Sequence, residues 1–281
     1  MAEDAGPEVL PLSQVADITA ERAGLVLRLA QGTDEIRACQ ELRFQVFYEE
    51  LSAKPDAVTL AAQRDEDRFD AFCDHLVVVS PEGRRGARSI GIGGGELVGT
   101  YRLLRQEAAV INGGFYTEAE FDVAPMIASH PDLRFLELGR SCVLKPFRTQ
   151  PAAELLWQGI WNYVRALGLD VMFGCASLEG ADPAIHRDAL AYLARRHRAP
   201  SQWRVSAWPQ NRVDMVASTG ADAKAALRAL PPLIKGYLRL GCYVGDGAVT
   251  DRQFNTTDIL VVLPVSAISP RYFSHFGEPT G

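Results

Sequence analysis

"FLELGRSCVLKPFRTQPAAELLWQGIWNYV", residues 135–164, decides the fold. An apolar run carries Glu137 and Arg140, passes through a basic turn with Lys145 and Arg148, and enters an amphipathic segment. There Leu155, Leu156, Ile160, Val164 and Leu167 recur at helical spacing, and Gly168 stops the pattern. Pro151 suits the first helical turn, where its missing N–H has no partner to lose. The unit is therefore strand, basic turn, helix. Such a turn offers free backbone N–H groups and the positive end of a helix dipole, an anion site fit for phosphate or pyrophosphate. An ordinary solvated βα turn is the competing reading. In strict alternation Glu137 and Arg140 point to opposite faces, so a direct ion pair needs a bulge, which Gly139 between them permits.

Working outward, "GLVLRLA" (24–30) alternates as a strand, and Thr33 or Asp34 caps a helix through "EIRACQELRFQVFYEEL". Residues 52–74 read as a long acidic loop. "HLVVVS" and "ELVGTYRLL" are antiparallel strands around a glycine-rich turn, and "YTEAEFD" is a helical piece. Beyond the opening unit, "DVMFGCAS" is a buried strand and Asp182-Pro183 opens a helix to Arg196. "YLRLGCYVG" and "DILVVLPVSAI" read as two last strands. Strands and helices alternate only in the middle, which predicts a three-layer α/β (α+β) domain with a mixed, mostly antiparallel sheet over residues 24–268. The acidic residues 1–23 and residues 269–281 are its tails.

Composition narrows the function. The chain has 281 residues, 47% hydrophobic and 23% charged, which permits one large domain or two small ones. No apolar run approaches the roughly 20 residues of a membrane span. The N-terminal stretch lacks the basic and apolar regions of a secretory signal. Five cysteines with no C-x-x-C pair suit a reducing, cytoplasmic setting. A formal net charge of −6 argues against nucleic acid as a partner. "GIGGGE" fits neither dinucleotide nor P-loop spacing, and the five histidines lack metal-ligand spacing, so no metal is expected. "GRSCV" departs from the nucleophile elbow at Val143, and Cys142 reads as a buried strand cysteine.

The order of pieces, with "LVGTYRLL" before "FLELGRSCV" and a helix after "KPFR", resembles the GNAT acyltransferase fold. In that family the turn grips the pyrophosphate or phosphopantetheine of an acyl carrier through the pattern Gln/Arg-x-x-Gly-x-Gly/Ala. Arg148 and Ala153 match its ends, while Pro151 replaces the first glycine and deletes one amide donor. "LRFQVFYEEL", "DEDRFDAFCDHLVV" and "LELGRSCV" also resemble acyl-homoserine-lactone synthases. That likeness puts functional roles on Arg43 and Phe47, the acidic pair Asp67 and Asp70, Arg102, Glu137 and Arg140. "GCASLEGADPAIH", "PPLIKGYLRLGCYVGDGA" and "FNTTDILVVLPV" extend the match to the bacterial ornithine-lipid N-acyltransferases, which the sequence resembles over about residues 25–265.

That resemblance implies transfer of a 3-hydroxyacyl group from acyl carrier protein to the α-amine of ornithine, giving lyso-ornithine lipid. The carrier's phosphopantetheine arm is then a co-substrate and no cofactor stays bound. Aminolysis of a thioester needs a neutral amine and a polarised carbonyl. Glu137 is the candidate base, with Arg140 beside it, and ion pairing between the two is the structural alternative. Backbone N–H groups of a splayed strand near 141–144 (Ser141, Cys142, Val143) polarise the carbonyl, with Lys145, Arg148 and Ala153 at the pantetheine turn. Arg43, Arg102 and Arg140 hold a substrate carboxylate, or pair with Asp65, Asp67 and Asp70 to order the long loop. Asp67 or Asp70 is the carboxylate expected to remain for a cationic side chain. The carrier is acidic, so Lys145, Arg148 and the "ARRHR" cluster are its docking candidates. A lysolipid product implies transient contact with the inner membrane surface. An autoinducer synthase using S-adenosylmethionine, an N-acyltransferase for glycine, glutamine or lysine, and a non-catalytic carrier-binding module are the alternatives.

Overall fold

A computed structural model describes residues 18–81, 89–148, 150–215, 222–269 and 272. The strands are β1 (Ala20–Arg22), β2 (Leu25–Leu29), β3 (Asp74–Ser80), β4 (Gly91–Ile92), β5 (Gly95–Arg105), β6 (Phe121–Asp122), β7 (Phe135–Val143), β8 (Val171–Glu179), β9 (Ser206–Ala207), β10 (Arg212–Val213), β11 (Tyr243–Asp251) and β12 (Thr256–Pro264). The helices are α1 (Gly32–Phe44), α2 (Ala57–Ala62), α3 (Gln106–Ile111), α4 (Ala124–Ala128), α5 (Gln150–Leu167), α6 (Arg187–Arg196), α7 (Ala223–Ala229) and α8 (Pro232–Leu240). One sheet runs β1-β2-β3-β5-β7-β8-β12-β11-β9-β6, with β4 on β5 and β10 on β11. Among these pairings β7/β8 and the short β11/β9 contact are parallel, and the rest antiparallel.

Side-chain alternation on β2 puts helices on both faces. Arg28 pairs with Glu35 of α1 at 2.6 Å, while the neighbouring Leu27 packs so closely on Gly159 of α5 that a Cβ there would collide with it. The three-layer mixed sheet expected from the sequence is therefore present.

Some boundaries differ, for physical reasons. Residues 20–22, read as tail, pair with β2; residues 1–17, 270–271 and 273–281 of the two tails lie outside the described residues. The first helix starts at Gly32, with Gln31 rather than Thr33 or Asp34 at the cap, and the Gln31 N–H donates to Glu35 at 2.7 Å. It then widens into a π-helical stretch at Gln45–Glu50, which carries Phe47. The 52–74 loop contains α2, capped by Asp56, and a 3-10 turn at Arg68–Ala71. "YTEAEFD" divides into a 3-10 turn at Tyr116–Ala119 and β6.

The largest correction is "YLRLGCYVG", read as a strand. Its first four residues end α8, and β11 begins only at Tyr243. Proline at the first position of α8 and left-handed Gly241 just past its end (φ 98°) are strong start and stop signals. Ile234 and Tyr237 bury one face of it. Helical spacing thus overrides what looked like strand alternation.

Candidate active site between the splayed strands

β7 and β8 pair in parallel only from Phe135↔Val171 to Glu137↔Phe173. β7 then runs on to Val143 and β8 to Glu179 without pairing to each other. At the divergence a Cβ on Gly174 would strike the Leu138 carbonyl, so glycine is required for the close approach. The gap opens into a cavity of about 450 Å³ lined by both strands, by Phe47, Arg102, Tyr116 and Arg148, and by the start of α8.

A bulge aims the key side chains. Thr100↔Cys142 is followed by Arg102↔Gly139, so Arg140 and Ser141 oppose Tyr101 alone. Arg140 takes up the extra residue in a left-handed conformation (φ 50°), unusual for a residue with a Cβ. The bulge therefore falls one residue later than Gly139, and it brings both Glu137 and Arg140 to the cavity.

They do not pair with each other. Glu137 accepts the Tyr116 N–H at 2.9 Å, the Thr117 N–H at 2.7 Å and the Thr117 hydroxyl. The donors stand at the start of the 116–119 turn, so the carboxylate fastens that turn to β7. Burial nevertheless pushes its pKa up, against the pull of these donors and of Arg102. A carboxylate has about four acceptor sites, and three bonds leave one free for an amine or a water.

Arg140 lies between the Tyr116 and Phe254 rings, 4.5 and 4.8 Å from their centroids. Its Nε and Nη2 donate to Asp65 at 3.0 Å and to Asp67 at 3.2 Å. Arg43 reaches both oxygens of Asp70 at 2.9 and 2.7 Å and Asp65 at 2.8 Å. Arg102 reaches Asp67 at 2.6 Å and Asp70 at 2.9 Å. Three arginines and three aspartates form one buried lattice tying the 65–70 segment to α1, β5 and β7. Burial opposes ionisation of Asp70, but hydrogen bonds and charge from Arg43, with Arg102 behind it, hold its carboxyl well below the usual range. The ordering role for these pairs is the one the geometry favours. Neither Asp67 nor Asp70 is left over for a cationic ligand, which corrects the expectation placed on them.

Other expected residues separate at this point. Ser141 lines the cavity and bonds Tyr101, whose hydroxyl lies 2.5 Å from that of Tyr237. Cys142 is buried in the core, where desolvation pushes its thiol up. Leu144, in the stretch expected to polarise a carbonyl, spends its N–H on the Val98 carbonyl at 2.9 Å. Arg148 donates to the Val143 carbonyl at 2.8 Å and pairs with Glu50, so its charge is already committed. Lys145 and Ala153 are exposed and lie apart from the cavity lining. In the "ARRHR" cluster, Arg198 pairs with Asp246 at 3.5 Å.

One cluster escaped the sequence reading. Glu120, Asp251 and Asp258 bring carboxylate oxygens within 4.8 Å of one another, and Asp251 and Asp258 line the cavity. Burial first, then Asp258, raises Glu120 to about 7; burial first, with the Asp251 charge adding, raises Asp258 to about 6 against hydrogen bonds from Ser177 and Thr256. Its signal in the sequence was of the kind that marked Glu137: an acid, Asp258, heading an apolar strand.

A cavity between diverging parallel strands, followed by a turn and a long helix, defines an acyltransferase of the GNAT class. The acetyltransferase (GNAT) domain family matches residues 42–158. The chain is 48% identical to L-ornithine Nα-acyltransferase of Agrobacterium fabrum, covering 90% of this chain and 85% of that one. It is 45% identical to the Brucella abortus protein of the same name, covering 93% and 92%. Among solved structures, an N-acyl amino acid synthase from uncultured soil microbes aligns with TM-score 0.47 and 13% identity, over 86% of this chain and 91% of that one. This chain belongs to the L-ornithine Nα-acyltransferase family, and it is an N-acyltransferase.

Proposed function

We propose that the enzyme transfers a 3-hydroxyacyl group from the phosphopantetheine arm of acyl carrier protein to the α-amine of ornithine. The product is lyso-ornithine lipid, a first intermediate of a phosphate-free membrane lipid. The observation that carries this reading is the cavity between β7 and β8, lined by Glu137, Arg102 and Arg140 and bordered by Pro231 and Leu233 at the start of α8. It has room for an extended thioester arm meeting an amino acid head-on.

In the reaction the neutral α-amine attacks the thioester carbonyl carbon, a C–N bond forms and the C–S bond breaks. The carrier leaves as its thiol, taking up one proton as the amine gives one up. Glu137 receives the amine's proton, directly or through one water, since burial raises its affinity for a proton. N–H groups of β7 freed from β8 polarise the carbonyl. No covalent intermediate is required, and burial keeps Cys142 and Cys175 as thiols. The reaction takes place in the cytoplasm, with the product passing to the inner membrane surface. No helix among the described residues is long and apolar enough to cross a membrane.

The test is mass spectrometry of purified protein with 3-hydroxyacyl carrier protein and a panel of free amino acids, with and without S-adenosylmethionine. Nα-acyl-ornithine formed without S-adenosylmethionine is the expected product. A lactone formed only with it would move the enzyme to the autoinducer class, and a different acylated amino acid would replace ornithine as acceptor.

A further inference from the structure

We infer that Glu120, Asp251 and Asp258 form the subsite that receives the side-chain ammonium of the acceptor and so set its selectivity for a diamino acid. This rests on the reading of the cavity as the acyl-transfer site.

Charge balance is the first reason. In the neighbouring lattice three arginines meet three aspartates. The trio is three further carboxyl groups, and among the described residues no basic side chain forms an ion pair with any of them. Arg140 is a neighbouring cation, but its guanidinium is spent on Asp65 and Asp67.

The second reason is independent of the clustering. Asp258 is only 6% exposed and stands at the cavity wall; Ser177 and Thr256 hydrogen-bond its side chain, yet its Oδ1 has no partner. Buried polar atoms are nearly always bonded, and an orphaned carboxylate oxygen on a residue of the cavity wall points to a donor that arrives with a ligand.

The third is placement. Thr117, which donates to Glu137, lies 3.8 Å from the Cys175 sulfur, and that thiol donates to Glu120 at 3.5 Å. The trio is thus three contacts from the proposed base, on the far side of one β8 residue. An α-amine at Glu137 and an ammonium at the trio are two ends of one short diamino acid. A primary ammonium has three donors to offer three carboxylates.

The experiment compares ornithine with norvaline, the same chain without its terminal amine, using full-length enzyme and acyl carrier protein. The wild type is expected to prefer ornithine. Asp258→Asn is expected to lower kcat/KM for ornithine by about 10- to 100-fold, mostly through KM, and to leave norvaline nearly unchanged. Asp251→Asn serves as a second variant should the first fail to fold. An unchanged ornithine-to-norvaline ratio in the folded variants would overturn the subsite while leaving the acyl transfer intact. A wild type that acylates neither amino acid would overturn the functional reading itself. Calcium, magnesium and manganese are titrated alone in parallel. Tight metal binding lost in Asp258→Asn, with no change in acceptor preference, would make the trio a metal site instead.

Discussion

At the scale of single residues, two buried acids on β7 and β12, the strands either side of β8, carry charge in different ways. Glu137 has three donors; Asp258 has an oxygen with none. Replacing Glu137 by Gln puts an amide N–H against backbone donors, which should cost about 1–3 kcal/mol in urea unfolding. If Glu137 also takes the proton, kcat falls by about 10²- to 10⁴-fold. Thr117→Val, which removes one donor but keeps the carboxylate, should slow the reaction far less. Equal losses in the two variants, with Tm lowered alike, would reduce Glu137 to a fastener of the 116–119 turn. Asp258 makes a pH prediction. Its pKa rises from 3.8 to about 6 on folding, chiefly through burial. Between those values the folded state binds more protons than the unfolded one, so this group's contribution to stability declines as pH rises through that window. Asp258→Asn lacks the penalty. Its stability relative to wild type should therefore improve by about 2–3 kcal/mol from pH 4 to pH 7, measured by chemical denaturation at each pH. A constant difference across that range would show that Asp258 titrates normally.

At the scale of elements, the site is made by two strands that part. The opening strand–turn–helix unit was legible in the sequence because Pro151, the helical leucines and Gly168 all agree on it. The bulge was legible as a need, since Glu137 and Arg140 otherwise face apart, but not as a position. Only the register against β5 fixes it at Arg140 and Ser141. Pairing of Arg43, Arg102 and Arg140 with the acidic loop could be anticipated from charge, whereas partner choice depends on distances no spacing encodes. The trio was hidden for a related reason: Asp251 and Asp258 flank one hairpin, at the end of β11 and the start of β12, but Glu120 ends a turn far earlier in the sequence. α8 was misread because a short apolar-rich segment satisfies strand and helix patterns alike, and its proline and glycine boundaries should have decided. The divergence of β7 from β8 depends on Gly174. Gly174→Ala drives a Cβ into the Leu138 carbonyl. Backbone at that point has no flexible end to yield, so the strands must shift. A loss of about 1–3 kcal/mol is expected, together with weaker use of the acyl donor, read as a raised KM for acyl carrier protein. Unchanged stability and kinetics would mean that the splay does not depend on this contact.

At the scale of the whole molecule, an enzyme of net charge −6 is proposed to take its substrate from an acidic carrier. Local charge resolves the conflict. From Ala223 to Leu240, through α7 and α8, there are four cations, Lys224, Arg228, Lys235 and Arg239, and no carboxylate. Pro231 and Leu233, between and within these helices, line the cavity. A carrier docked on this surface would sit beside two residues of the cavity wall; in the Lys145 turn and the "ARRHR" cluster, Arg148 and Arg198 are already paired. Lys224 and Arg228 are exposed and remote from Glu137 and the trio in sequence and element, so they can be reversed without touching the reacting groups. The double change Lys224→Glu and Arg228→Glu should raise KM for acyl carrier protein by about 10-fold at low salt while leaving kcat alone. Because exposed charges are screened beyond about 8 Å at physiological ionic strength, the gap between wild type and variant should narrow as salt is added. The same acyl group on free pantetheine has no acidic protein to dock, so the two enzymes should use it equally well. An identical KM for the carrier in both enzymes would remove α7 and α8 from the docking surface; a defect that persists with acyl-pantetheine would locate the damage in the cavity instead.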